Sequence, residues 1–226
     1  MKRNQSGFTL IEIAIVLVII GLLLGGVLKG QELINSAKVK SLATDFRNIP
    51  VYIYGYQDKY RAIPGDDKSA AIHLGVASAV AAPGNGNGLI DDAWDDDATG
   101  SEAYDFWLHV RLAGLTPGST TSGAADYQPI NAVGGIIGIQ SGTTDTSLTP
   151  VKDLQTTAVA IRGTYIICSS NILGKFAKQL DIQLDDGETS TGTMMATPAS
   201  GYAAGAAAEA TADIDDAATY VVCMGV

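Results

Sequence analysis

A carboxylate inside a hydrocarbon run is the first feature of this chain that requires a chemical explanation. From position 8 to position 28 the sequence is apolar except for Thr9 and Glu12. A charge at the centre of a membrane-spanning helix costs about 3 kcal/mol on insertion scales, and less near an end, so Glu12 needs a partner or a role. A second oxygen-rich group stands in a glycine-rich segment. With Gly88 counted as the sixth residue of a calcium loop, Asn85 and Asn87 fall at positions three and five and Asp91 at nine. Positions one and twelve would then be Pro83 and Trp94, which cannot ligate. Asp92, Asp95, Asp96 and Asp97 crowd beside this group, and Asp181, Asp185, Asp186 and Glu188 form a further oxygen cluster. Half the calcium pattern is missing, so these oxygens read first as a solvated acidic loop with no cofactor, and calcium is the alternative. The only histidines, His73 and His109, have no second ligand at metal spacing and read as core or surface residues. Catalysis finds no support: there is no Gly-x-Ser-x-Gly, no histidine paired with a nucleophilic cysteine and no phosphate-binding loop.

These residues sit in a chain of 226 with a net charge of -10 and 46 % hydrophobic residues, enough for one sizeable folded domain. Charged residues make up only 17 %, which excludes disorder driven by charge. The acidity argues against nucleic acid as a partner, because phosphate binding needs a basic footprint. The charge is unevenly placed. Residues 29–61 hold six bases against three acids, and residues 62–226 hold six bases against twenty acids. A basic stem beneath an acidic head would attract neighbouring copies across a contact surface, while an acidic surface kept for solubility is the plainer reading.

Residues 8–28 span about 30 Å as a helix, the thickness of a hydrocarbon core. Lys2 and Arg3 in the short leader hold the N-terminus in the cytoplasm, so that everything after Leu28 is exported. The run is too long for an ordinary cleavable signal and lacks its small-residue end. Beyond it, Leu42, Phe46, Ile49, Ile53, Tyr56 and Tyr60 recur at spacings of four and three, one apolar stripe of a continuing helix. Pro50 lies within the stripe, whose phase is kept on both sides, and so predicts a kink rather than a stop. Ile63-Pro64-Gly65-Asp66 then closes the helix. Ser101 is an N-cap candidate for a helix over 102–113 that Gly114 ends. Later segments read as strands: 130–140, 157–169, a hairpin of 179–184 with 191–196 through Asp185-Asp186-Gly187, and a last edge strand over 219–224. A short helix around 172–180 intervenes, and the alanine-rich run 199–212 reads as a mobile loop or a poorly packed helix. The composite is α+β, a long helix laid on an antiparallel sheet. Cys168 and Cys223 are both exported and should bond in an oxidising compartment.

Gly7-Phe8-Thr9-Leu10-Ile11-Glu12 followed by an apolar run resembles the N-terminus of type IV prepilins and type II secretion pseudopilins. The resemblance implies cleavage between Gly7 and Phe8 by a prepilin peptidase, methylation of Phe8, and packing of the apolar helices into a filament core. On that reading Glu12 is the acid at the fifth mature position. Residues 1–7 are a leader, 8–28 the transmembrane and filament-core helix, 29–62 an amphipathic continuation, and 63–226 the exported head. Once the chain is cut, the amine of Phe8 and the carboxylate of Glu12 lie at i and i+4 on one helix face, and the acid also meets the positive end of the helix dipole. Between staggered copies, the carboxylate of one can meet the amine of the next, satisfying both charges without water. The family also implies a pilin-like fold, and its C-terminal loop is often closed by a disulfide, here from Cys168 to Cys223. Ile63-Pro64-Gly65-Asp66, Gly84-Asn85-Gly86-Asn87-Gly88 and Trp107-Leu108-His109-Val110-Arg111-Leu112-Ala113-Gly114-Leu115 extend the resemblance with less specificity to a subgroup of prepilin-type proteins.

The partners implied are further copies of this chain in a helical filament, the peptidase and methylase, the inner-membrane assembly platform and the membrane itself. Three functions fit. The chain is a subunit of an extracellular type IV pilus, a subunit of a periplasmic secretion pseudopilus, or an anchored acidic binding domain that never polymerises. Only the first two need Glu12 and the cut after Gly7. The glycine- and alanine-rich segments 75–88 and 199–212 favour the pilus as display loops.

Overall fold

The computed structural model describes residues 10–77, 80–153 and 158–226. In chain order its elements are α1 (Leu10–Tyr60), α2 (Ala70–Leu74), α3 (Glu102–Leu112), β1 (Ile137–Ser141), β2 (Val151–Lys152), β3 (Tyr165–Leu173), α4 (Gly174–Leu184), β4 (Met194–Pro198), β5 (Ala206–Ala207) and β6 (Thr219–Gly225). The chain divides into two units, Met1–Lys38 and Val39–Val226.

In the first unit the described chain is the opening part of α1. Its 18-residue apolar window has a mean hydropathy of 2.8 and is wholly exposed, so the helix is long and apolar enough to cross a membrane. An exposed ion pair joins Lys29 to Glu32 at 2.6 Å. Its surface position makes it worth well under about 1 kcal/mol.

The second unit begins where α1 acquires a buried face. Val39, Leu42, Phe46, Ile49, Ile53 and Tyr56 are buried at helical spacing, which confirms the apolar stripe up to Tyr56. Tyr60 is only half-buried and stacks on His73. The helix continues through Pro50, which leaves the Phe46 carbonyl without its usual donor, and ends at Tyr60 before Ile63-Pro64-Gly65. Against the stripe pack Phe106, Trp107 and Val110 of α3, Phe176 and Leu180 of α4, and one face of the sheet.

The main sheet is antiparallel throughout, in the order β1-β3-β6-β4. Side chains alternate between two buried faces. Tyr165, Ile167, Met194, Ala196, Val222 and Met224 belong to the core shared with α1, whereas Ile166, Cys168, Met195, Val221 and Cys223 face a second core with Trp94, Val151, Ile161 and Ala208. This sheet on a long helix is the α+β, pilin-like arrangement expected. A bulge interrupts β3 against β6 between Ser169 and Ile172, and Asn171 takes a left-handed conformation there, with φ 58°.

Several boundaries differ from the sequence reading. The strand expected over 130–140 shortens to β1, with one isolated bridge from Ile130 to Ile136. That expected over 157–169 moves to β3. The hairpin of 179–184 with 191–196 does not form. Residues 179–184 belong to α4, because Phe176, Ala177, Leu180 and Asp181 recur at helical spacing on its buried side, and β4 pairs with β6 instead. β6 is an inner strand rather than an edge, since β3 and β4 flank it. The segment 199–212 is neither a free loop nor a helix: β5 pairs in parallel with β2, and Ala208 is buried.

Cys168 and Cys223 are directly opposite one another in β3 and β6 and form a disulfide across the sheet. It lies on the face turned away from α1. Closing a loop with a sequence separation of 55 residues stabilises the fold by on the order of 4 kcal/mol in the chain-entropy model. Alkylation of denatured, unreduced protein is therefore expected to label no thiol. Cys168→Ser combined with Cys223→Ser should lower the melting temperature and speed proteolysis, and two labelled thiols in exported wild-type protein would contradict the bridge.

Candidate assembly site and the acidic centres of the head

Of the residues expected to direct processing, Gly7 and Phe8 lie outside the described residues. Glu12 is in the first turn of α1, where a carboxylate meets the positive end of the helix dipole. The apolar side chains that follow on α1, including Leu17, Leu22, Leu24 and Leu28, are exposed. A helix surface that is apolar on all sides and uncovered in the monomer is suited to lipid or to other helices of its kind.

In the head the glycine-rich loop is organised by a residue outside it. Asp66, buried in the turn after α1, accepts N–H bonds from Gly86 and Asn87 on Oδ1 and from Gly88 on Oδ2, the last at 2.7 Å. Two features require glycine here. A Cβ on Gly84 would come within 2.4 Å of the Asp66 backbone, and Gly86 has φ 74°. Glu102, at the start of α3, accepts the N–H groups of Asn85 and Asp91, both at 2.9 Å. Burial raises the Glu102 pKa, those two bonds oppose it, and Asp66 and Asp91 add to it.

The structure brings Asn85, Asn87 and Asp91 together, but with the amides as donors. Asn85 Nδ2 and Asn87 Nδ2 reach Asp91 Oδ2 at 2.7 and 2.8 Å. Their amide oxygens already accept the N–H groups of Asn87 and Leu89, which fixes the orientation of both side chains. Each amide oxygen thus uses one of its acceptor positions within the loop. Among the described residues no group of three or more His, Cys, Asp or Glu side chains could hold a metal ion.

A second polar centre joins the end of α1 to α2 and α3. Tyr56 donates to Asp67 Oδ2 at 2.8 Å, and His73 Nδ1 lies 2.7 Å from the same oxygen. Burial acts to raise the Asp67 pKa, but the bonds from His73, Tyr56 and the Ser69 N–H outweigh it and the net shift is downward. His109 is fully buried, as a core histidine should be. Its Nδ1 accepts the Gly65 N–H at 2.9 Å, so the proton sits on Nε2, which faces the Ala82 carbonyl at 3.3 Å. Burial pushes its pKa down to about 4. Sequence reasoning missed this network because its members are far apart in the chain. The capping of α3 also differs from expectation: Ser101 makes no side-chain cap, and Asp92 Oδ2 accepts the Glu102 N–H instead, with φ 71° at Asp92.

Asp181 is the exception among these acids. It is fully buried on α4, where Oδ1 accepts the Gly187 N–H and Oδ2 has no partner among the described residues. Burial, with the charges of Asp185, Asp186 and Glu188, pushes its pKa up to about 7. Its neighbours are satisfied by donors: Asp185 Oδ2 accepts the N–H groups of Thr193 and Met194, and Glu188 accepts from Ser190 and Thr211.

Residues 2–28 match the family model of the prokaryotic N-terminal methylation motif. This is the prepilin-type cleavage and methylation signature of type IV pilins and pseudopilins. The match covers Gly7, Phe8 and Glu12 and ends where the apolar run ends. No curated protein and no solved structure matches the chain.

Two outcomes follow for the head. Asp66→Ala would leave three loop N–H groups without an acceptor and is expected to cost about 3 kcal/mol. Thermal unfolding should show that loss equally in chelator and in millimolar calcium. For Asp181, the folded pKa of about 7 lies above the ordinary aspartate value of 3.8. Stability therefore falls as pH rises from about 4 to about 7 and is level above that. Asp181→Asn should remove this slope, gaining on the wild type by on the order of 4 kcal/mol between pH 4 and pH 8. Parallel pH profiles for the two proteins would show that Asp181 titrates normally.

Proposed function

We propose that this chain is a structural subunit of a type IV pilus-like filament, assembled after cleavage between Gly7 and Phe8 and methylation of Phe8. The observation that carries the reading is the methylation motif at residues 2–28 running directly into a helix whose apolar surface is uncovered. Cleavage creates a terminal amine four residues before Glu12. In the filament that amine meets the carboxylate of a neighbouring copy, so a slipped register would strand two charges in a medium without water. The anchored precursor crosses the inner membrane once, and the head is exported. The methylation motif supports a structural role, since it marks pilin-type proteins, which are usually not enzymes.

A second reading, a pseudopilus subunit of a type II secretion system, shares every motif. One observation favours it. The segments expected to serve as display loops are folded onto the head, the first through Asp66 and the second through the pairing of β5 with β2.

Processing and location test both readings. Glu12→Leu should leave the protein inserted while lowering filament yield more than about tenfold, the loss expected when a buried partner charge is stranded. Mass spectrometry of the assembled wild type should find N-methylated Phe8. An intact Met1 in purified filaments, or normal yield from the Glu12 variant, would overturn the assembly mechanism. Protein in the sheared supernatant supports the pilus. Retention in the envelope with a secretion defect on deletion supports the pseudopilus.

A further inference from the structure

Most carboxylates of the head are met by N–H groups, and one on the stem side is not. Asp45, on α1, is half-buried and has no hydrogen-bond or ion-pair partner among the described residues. It lines a pocket of about 130 Å³ with Tyr52, Trp107, Pro117, Pro129 and Ile130. Trp107 contributes a second unsatisfied group, since its Nε1 is buried without an acceptor among the described residues. Burial pushes the Asp45 pKa up to about 6.

The complementary charges stand on the same helix. Lys40 and Arg47 are exposed and have no ion-pair partner among the described residues. At about 100° per residue, Arg47 lies about 200° round the helix from Asp45 and Lys40 about 220°. The cations therefore share one stripe, and Asp45 faces nearly the opposite way. Next along the cationic stripe come Val51 and Tyr54, 63 % and 58 % exposed, and the pocket is bordered by Ile130, also 58 % exposed. Charge and apolar surface thus repeat in the same order on two opposite sides of one molecule.

We propose that the pocket around Asp45 receives the Arg47 guanidinium of a second copy of this chain, with Val51 and Tyr54 of that copy covering Ile130, Pro117 and Pro129. The inference rests on the filament reading and adds a contact to it. A guanidinium suits the site better than an ammonium, because its planar fork matches a carboxylate and its face stacks on aromatic rings. Lys40 flanks the contact and adds long-range attraction. Since donor and acceptor surfaces differ and lie on opposite faces, the contact is heterologous. Repeated from copy to copy, it propagates as an open helix instead of closing a two-fold dimer.

The test uses the full-length chain in assembling cells. Asp45→Cys and Arg47→Cys are placed together in one chain, where they face apart and cannot bond to each other. Oxidation of sheared filaments should then give a ladder of dimers, trimers and higher species on a non-reducing gel. In parallel, Asp45→Arg and Arg47→Asp should each lower filament yield by about tenfold or more, and the exchanged pair should recover most of it, the signature of direct coupling. Arg47→Asp lies on an exposed surface, so its normal accumulation and cleavage after Gly7 separate lost assembly from lost folding. Crosslinking that stops at dimers would indicate a two-fold contact and overturn the proposal. So would filaments that form normally without any crosslink, which would leave the pocket filled by water alone. Wild-type protein that is never cleaved or assembled would instead remove the filament reading, and this contact with it.

Discussion

Burial of one stripe of α1 is the interaction on which the head depends. Leu42, Phe46, Ile49, Ile53 and Tyr56 are almost wholly inaccessible, and α3, α4 and the main sheet all meet them. Each contributes about 2 kcal/mol of apolar burial, so together they approach the net stability of a typical domain. Where the stripe is packed, the helix is the spine of a globular unit. From Leu10 to Leu28 the same helix carries apolar residues on all its sides and buries none of them. The residues long and apolar enough as a helix to cross a membrane are thereby kept apart from those that pack within their own chain.

The sheet completes the head by burying both its faces, which sorts neighbouring residues of each strand into different environments. Ile167, Val222 and Met194 pack toward α1, while Cys168, Cys223 and Met195 pack under the loops. The disulfide accordingly reinforces the pairing of the two inner strands without intruding on the contact with the stem. It locks the half of the core that lacks helices.

With twenty acids and six bases after residue 61, the head has few cations to share among its carboxylates. Backbone N–H groups take their place. Asp66, Glu102 and Asp185 each accept two or more of them, and the glycine loop is shaped to deliver three to Asp66. Against this background burial disfavours the anions of Asp181, Asp105 and Asp45. Asp181 is enclosed, so its strain is internal and appears as a dependence on pH. Asp45 opens onto a pocket at the surface and can be relieved from outside.

The sequence alone determined the features that depend on local pattern. The motif from Gly7 to Glu12, the apolar run, the stripe from Leu42 to Tyr56 and the helix ending at Gly114 are all legible because helical periodicity and cleavage signatures reside in adjacent residues. Cysteine count and export similarly pointed to the bond from Cys168 to Cys223. Only the tertiary structure decided how the second half of the chain pairs. Strands buried on both faces lose the alternation that marks an amphipathic strand, so the boundaries of β1 and β3 shifted. Residues 179–184 alternate polar and apolar, with Leu180, Ile182 and Leu184 at period two, and so fit a strand as readily as a helix until α4 was packed. The purpose of the glycine loop was hidden for a related reason. Its anchor, Asp66, stands some twenty residues earlier, and a carboxylate held by N–H groups leaves no spacing in the sequence to distinguish it from one awaiting a cation. Long-range pairing and hydrogen-bond direction are properties of the folded chain, because they depend on which distant segments burial brings together.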